Sequence, residues 1–351
     1  MQILKSFSKS ITFLCFSISV FIIGISLPHY AQDDSSSANI PKPKEPETAE
    51  EYLKAGINFQ DEGNYKEATP LFQQALGLYS QEENWNKIAE TVYYAAKINS
   101  HDYSKKVFNG SIIEGALTQL KPLLPDTSYW MGKLYFANGS AYKYGKGVKR
   151  DQQKSLLLMQ KSRAILEYSG SYSDKIEVDF YMARQIKKTS KDKKEGWQKT
   201  FQALILAAKE ARAHLDFDDP TRNAITRYLL DECVNKSEDA RNFIVEEKAI
   251  FKKEKRWADY IHASNMLSQG FYSIQDYSAM QKQLKEANHC LENNSLPKDK
   301  ANLASQTYYL LGTCYRQIGD LENAFLFYKK AEQSPLTPEV KLALYQGIGM
   351  L

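Results

Sequence analysis

Four histidines lie beyond residue 31, and their spacing decides whether the chain could hold a catalytic metal. They are His101, His214, His262 and His289. Two imidazoles on a helix bind one metal ion when they stand about one turn apart, and these four are widely separated. His289 and Cys290 are neighbours, but adjacent helical residues point to different sides and form no nucleophilic pair. The histidines therefore predict neither a metal site nor a catalytic residue.

Phosphate-binding and nucleophile motifs are absent from the sequence. Gly145-Lys146-Gly147 is too short for a phosphate loop, which needs a longer glycine pattern between a strand and a helix. No GxSxG pattern of a serine hydrolase occurs either. We expect no cofactor and no enzymatic activity. An unrecognised catalytic site within residues 173–252 is the enzymatic alternative.

The composition is that of an ordinary globular protein. The chain has 351 residues, of which 43% are hydrophobic and 25% are charged, and 46 basic residues nearly balance 42 acidic ones. A protein that binds nucleic acid as its main partner carries a strongly basic domain, so the composition argues against that class.

The N-terminal region predicts export. Lys5 and Lys9 precede an apolar run over residues 11–27, and Ala31 offers a small residue before a cleavage point. This order is typical of a secretory signal peptide over residues 1–31, with an uncleaved anchor as the alternative and the leader as the sole membrane contact. Residues 32–48 are rich in Ser, Pro and charge and predict a disordered linker. We expect an exported protein of the periplasm, the cell surface or the medium.

Three cysteines remain beyond the leader, at Cys233, Cys290 and Cys314. An odd number without metal-like spacing is best explained by buried, apolar cysteines. A disulfide between Cys290 and Cys314 is the alternative, if neighbouring repeats bring these two together.

Helical periodicity begins at Ala49 and continues almost to the C-terminus, without a convincing strand pattern. The clearest stretch is 305–331, where large and small residues alternate with spacings of three and four on either side of Gly319-Asp320. These positions are Tyr308, Leu311, Gly312, Tyr315, Ala324, Tyr328 and Ala331. The small residues lie where two helix axes come close, so the stretch predicts a pair of packed helices.

The same sizes recur at matching offsets near the start of the chain. The residues are Tyr52, Ala55, Gly56, Phe59, Gly63, Ala68, Phe72 and Ala75. Both copies resemble the tetratricopeptide repeat, a helix–turn–helix unit of about 34 residues that stacks into a superhelix. The resemblance implies an all-α, right-handed solenoid of about six or seven antiparallel helix pairs.

A third unit, residues 136–162, resembles the related Sel1-like repeat. Its matching positions are Gly139, Tyr142, Gly145, Gly147, Val148, Asp151, Ser155, Met159 and Ser162. The glycines suit a tight turn and Asp151 suits a helix N-cap. Ser155 and Ser162 stand where alanine is usual, so we expect their hydroxyls to need local acceptors.

The resulting organisation has four helical regions. They are tetratricopeptide-like repeats at 49–124, a Sel1-like repeat at 126–170, divergent helical repeats at 171–256 and tetratricopeptide repeats at 257–351. The last region ends in an unpaired helix, whereas a solenoid needs a terminal cap with a polar outer face, so this ending favours a fragment of a longer protein. We expect an exported, non-enzymatic repeat scaffold. The alternative is the N-terminal sensory or regulatory portion of a longer signalling or caspase-like protein.

Stacked repeats of this type bind peptides or proteins on the concave face formed by their first helices. The resemblance places Asn265, Gln269, Tyr272, Tyr309, Thr313 and Arg316 in that groove. Further groove positions are Leu53, Ile57, Gln60, Asp61, His262 and Gln317. The chaperone-binding class uses Lys and Asn to hold a terminal carboxylate, and Leu53, Asn265 and Tyr309 do not reproduce that pattern. We therefore expect a protein or peptide partner, bound through polar and aromatic side chains.

Overall fold

The computed structural model describes residues 46–98, 107–189, 192–335 and 338–349. The expected leader and nearly all of the expected linker lie outside these residues. The described part is all-α, apart from one pair of two-residue strands. The described residues divide into two compact units, one up to residue 185 and one from residue 186 onward.

The elements of the first unit run as follows. They are α1 (Ala49–Asp61), α2 (Tyr65–Gln81), α3 (Trp85–Ala95), β1 (Lys97–Ile98), β2 (Val107–Phe108), α4 (Gly110–Leu120), α5 (Tyr129–Tyr144), α6 (Gln152–Tyr168) and most of α7 (Tyr172–Thr189). The antiparallel strand pair was not predicted from the sequence; Lys97 pairs with Phe108.

The second unit continues with helices alone. They are α8 (Lys193–His214), α9 (Pro220–Tyr228), a π-helical turn (Leu229–Cys233), α10 (Glu238–Lys253), α11 (Trp257–Ser273), α12 (Tyr277–Asn293), a 3₁₀ turn (Lys298–Lys300), α13 (Asn302–Gln317), α14 (Leu321–Glu332) and α15 (Pro338–Gly349). The most extensive packing joins α11 to α12 and α13 to α14, and α15 packs against both α13 and α14. The all-α fold of stacked helix pairs is thus confirmed.

The predicted close approach of helices is present in the first and last pairs. A Cβ atom on Gly56 would lie 2.8 Å from the Phe72 ring, and one on Gly312 would lie 2.4 Å from the Tyr328 ring. Tyr328 is fully buried, and Gly347 of α15 lies against its far end. Glycine at these positions lets the paired helices approach closely enough to enclose an aromatic ring.

The α5–α6 turn has the geometry predicted for its glycines and its cap. Gly145 and Gly147 adopt φ values of 68° and 70°, which favour glycine. The Asp151 carboxylate accepts a hydrogen bond of 2.9 Å from the backbone N–H of Lys154 and caps α6. The hydroxyl of Ser162 donates to the carbonyl oxygen of Gly132, so the expected local acceptor exists.

The three described cysteines are buried free thiols, so the alternative of a disulfide between Cys290 and Cys314 is wrong. Burial in the apolar core raises the pKa of Cys314 to about 11. Cys314 instead packs beside Met280 and Leu284 as a small apolar residue.

Among the described residues, no helix is both long and apolar enough to cross a bilayer.

Candidate binding face of the second unit

In the second unit α11 packs beside α13, and the π turn that continues α9 packs beside α11; these are the first helices of successive helix pairs. The amide of Asn265 on α11 donates to the Leu303 carbonyl on α13 over 3.5 Å, and its oxygen accepts from the Thr307 hydroxyl over 3.0 Å. One turn earlier on α11, the His262 imidazole lies 3.4 Å from the Asp231 carboxylate of the π turn. These contacts align α9, α11 and α13. Their outward surface, which carries Arg227, His262, Gln269, Tyr272 and Gln317, is called the first-helix face below.

Two of the predicted groove residues are exposed on this face. Gln269 is exposed, and Tyr272 has 40% of its surface accessible. The amide of Gln317 donates to the Tyr272 hydroxyl over 3.4 Å, which links the last turns of α11 and α13. An aromatic ring with flanking amides therefore remains available to a partner at this end of the face.

Asn265 and Thr313 are not groove contacts, which corrects the prediction. Asn265 is 1% exposed and Thr313 is 8% exposed. The Thr313 hydroxyl lies 3.0 Å from the Tyr309 carbonyl and 3.3 Å from the Tyr328 hydroxyl. Asn265 is covered by α13, whereas Thr313 faces Tyr328 of α14, so both polar side chains lie between packed helices.

The same correction applies in the first repeat. Leu53 and Gln60 are buried, and the Gln60 amide donates to the Tyr94 carbonyl over 2.8 Å. Ile57 is partly exposed, whereas Asp61 is exposed and pairs with Lys97 over 3.3 Å. Sequence spacing identifies a helix face but does not tell how much of it the next helix covers.

Tyr309 and Arg316 occupy intermediate positions. The Tyr309 ring is partly buried, with its centroid 6.0 Å from that of Tyr328. Arg316 is partly exposed, yet its Nε atom is buried. Burial raises the pKa of Tyr328, and the Arg316 charge partly offsets this rise. Both side chains are thus partly buried on α13, Tyr309 in its middle and Arg316 in its last turn, and part of each reaches the surface.

A cleft of about 360 Å³ opens at the other end of the first-helix face. Its floor is apolar and includes Leu230 and Leu303, which come from α9's continuation and α13. Its cationic lining residues are Arg227, Arg256 and Lys300, beside His262 and a single carboxylate, that of Asp259. This basic cleft combines an apolar floor with polar groups from three helices, the usual make-up of a ligand site.

One cationic side chain of the basic cleft, that of Arg256, has two carboxylate partners. Arg256 donates to Asp259 over 2.5 Å and also lies 3.3 Å from Asp218, so two carboxylates neutralise it. The Arg256 guanidinium also stacks 4.5 Å from the centre of the Phe217 ring. Arg227 and Lys300 are exposed at the mouth. Three cationic side chains thus line the cleft against the single carboxylate of Asp259.

The π-helical turn lies directly beside the basic cleft. Leu230 of this turn lines the cleft, and Asp231 faces His262. A π turn inserts an extra residue into a helix and redirects the side chains that follow, and such turns are frequent at functional sites. The sequence showed no sign of it, since periodicity predicts an unbroken helix over 221–235.

A second cleft of about 400 Å³ lies between the second helices α8 and α10. Its surface is called the second-helix face; it carries Gln202, Leu206, Lys209, Asp239, Asn242 and Glu246. Two carboxylates and one ammonium group give it the opposite charge balance to the basic cleft. No group of three or more metal-ligating side chains occurs among the described residues.

Comparison with known sequences adds one match. A sequence model of the tetratricopeptide repeat family matches residues 305–334, which include most of α13 and all of α14. No curated protein matches the chain. The match and the stacked helix pairs support a tetratricopeptide-type repeat protein. Proteins of this type are typically interaction scaffolds.

Proposed function

We propose that this protein is an exported, non-enzymatic scaffold that binds an extended segment of a partner protein along the first-helix face. The observation that carries the proposal is the alignment of α9, α11 and α13, which places exposed Gln269 and Tyr272 in line with the basic cleft. Extended segments bind such surfaces through backbone hydrogen bonds to amides and through aromatic anchors. Of the six predicted groove residues, Gln269 and Tyr272 are the proposed contacts, and Tyr309 and Arg316 contribute at the end of the face.

Export follows in this proposal from the leader-like residues 1–31. N-terminal sequencing of the protein from the exported fraction of its host should find Gln32 as the first residue. Recovery of the intact N-terminus from a membrane fraction would instead support an uncleaved anchor.

Site-specific photocrosslinking in the native host tests the binding face. We would place p-benzoylphenylalanine at Gln269 or Gln317 on the first-helix face, and at Gln202 or Asn242 on the second-helix face. All four are exposed amides, so the pairs are matched in size and polarity. We expect one discrete adduct from the first pair and none from the second. Equal adducts from both faces, or none from the first, would contradict the proposed face.

A further inference from the structure

We propose that the basic cleft is a subsite for an oxyanion, a carboxylate or a phosphate, carried by a side chain of the bound segment. This inference rests on the proposed function and names the chemistry that the cleft would recognise. Arg227 and Lys300 lie at its mouth, Arg256 lies deeper, and its volume is about 360 Å³. That space suits one acidic side chain and an apolar neighbour.

The internal ion pairs of the cleft favour an anion over a cation as its ligand. Asp259 and Asp218 both pair with Arg256, and Asp231 lies outside the cleft lining, 3.4 Å from the His262 imidazole. Arg227 is exposed on the last turn of α9. An incoming carboxylate or phosphate can therefore pair with Arg227 without displacing a contact within the cleft.

The floor of the cleft adds a second requirement. Leu303 is 7% exposed and Leu230 is 5% exposed, and Phe251 closes the side nearest α10. The amides of Asn223 and Gln306 offer donors and acceptors at the rim. An acidic residue next to a large apolar residue satisfies both surfaces, because the ion pair forms at the mouth while the apolar side chain leaves water.

The arrangement differs from the capture of a chain terminus. Recognition here needs a side-chain oxyanion, so a segment with both ends blocked should bind equally well. The position of the cleft at the start of α11 and α13 also leaves Gln269 and Tyr272 to contact the rest of the segment.

Fluorescence anisotropy with short labelled peptides tests the proposal on the full chain. The probes are acetyl-Ser-Gly-Leu-Xaa-Phe-Gly-Ser-amide, in which Xaa is Glu, phosphoserine, Gln or Lys. We expect Glu, phosphoserine or both to bind at least about tenfold tighter than Gln and Lys, with an advantage that falls as salt is raised. The phosphoserine and Glu probes tell whether phosphate or carboxylate is preferred. Equal binding of all four, or binding of none, would overturn the oxyanion subsite.

Charge reversal locates the effect. Arg227→Glu should abolish the advantage of the acidic probes, and Lys300→Gln should reduce it without a change of sign. Lys209→Glu on the second-helix face is the matched control and should leave it intact. Retention of the advantage in Arg227→Glu would overturn the assignment to this cleft. Photocrosslinking from Gln269 does not depend on the oxyanion, so its success together with failure of the probes would reject the subsite alone.

Discussion

The α5–α6 and α13–α14 pairs pack with the same geometry but with different side-chain chemistry at the contact between their two helices, which is called the seam below. A glycine faces a large residue in each pair. A Cβ atom on Gly139 would lie 2.8 Å from the Met159 side chain, and one on Gly312 would lie 2.4 Å from the Tyr328 ring. The small residues four before and three after the large one are Ser155 and Ser162 in the first pair and Ala324 and Ala331 in the second. All four are buried.

The two pairs differ in whether side chains at the seam donate hydrogen bonds to the backbone of the facing helix. Ser155 and Ser162 donate to the carbonyls of Gly139 and Gly132 over 2.6 Å and 2.8 Å, whereas the alanines only remove apolar surface from water. Close approach of two helices thus fixes side-chain size, while polarity is free to vary wherever an acceptor is within reach. Five predictions test this comparison, from the largest effect to the smallest.

Asp174→Asn should be the most destabilising change. It tests the polar contacts that α5 makes. The Asp174 carboxylate binds Lys133 of α5 over 2.5 Å and the Tyr129 hydroxyl over 2.7 Å. Loss of its charge removes the carboxylate that pairs with the buried Lys133 ammonium and leaves Glu177 as its remaining nearby negative charge, which costs about 3 kcal/mol in the free energy of unfolding. Chemical denaturation at pH 7 measures it. A cost below that of the serine changes described below would show that the polar side of α5 is not held by this pair.

The same pair gives a pH dependence with a defined sign. Burial alone would raise the pKa of Asp174, but the Lys133 charge and hydrogen bonds from Lys133, Tyr129 and Ser171 outweigh it and lower that pKa. The stabilisation is therefore complete above the ordinary carboxyl pKa of about 4 and declines as pH falls through the lowered value. The difference in unfolding free energy between wild type and Asp174→Asn should be constant from about pH 5 to 8 and shrink in stronger acid. A difference that grows on acidification would contradict the pairing.

Gly312→Leu should cost about 2–3 kcal/mol, because any Cβ at this position overlaps the fully buried Tyr328 ring. Thermal and urea unfolding measure the loss. Gly77→Ala in α2 is the control: nothing lies within 4 Å of its Cβ, so removal of a helical glycine should stabilise by about 0.5–1 kcal/mol. A tolerated Gly312→Leu would show that the seam lies elsewhere.

An exchange of the small residues sharpens the comparison directly. Ser162→Ala should cost about 1 kcal/mol, because it removes the hydrogen bond to Gly132. Ala331→Ser should also destabilise by about 1 kcal/mol, since it brings a hydroxyl into an apolar seam. The urea midpoints of both variants, compared with that of the wild type, show whether each change lowers or raises the stability. Stabilisation by Ser162→Ala would mean that size alone governs both seams.

The turns between helices provide the smallest effect. Gly319 adopts φ 86° two residues before α14, and Lys255 and Gln275 adopt φ 55° and 61° two residues before α11 and α12. Side chains with a Cβ are strained there, so Lys255→Gly and Gln275→Gly should each stabilise by about 1 kcal/mol. Differential scanning calorimetry would show a higher Tm, and Gly319→Lys should lower it. A lower Tm for Lys255→Gly would mean that its side chain makes a compensating contact.

The helix pairs were predictable because their signal is local. Spacings of three and four around Gly319-Asp320 predicted α13 and α14, and the glycines with Asp151 predicted the turn before α6. The strand pair and the π turn were not predictable, since two-residue strands and one inserted residue leave no periodic pattern. The spacing assigned Gln269, Tyr272, Asn265 and Thr313 to one helix face, but the structure leaves only the first two of these exposed and buries the other two.

The amino-acid sequence by itself determined which residues form helices, where glycine permits close packing and which helix of each pair comes first. These properties depend on neighbours within about one turn, which the sequence displays. Only the tertiary structure decided that Asn265 is covered by α13 and that Arg227, Arg256 and Lys300 meet in one cleft. That outcome depends on the distance and register between first helices of successive pairs. Contacts far apart in the chain set this register, and no local pattern encodes it.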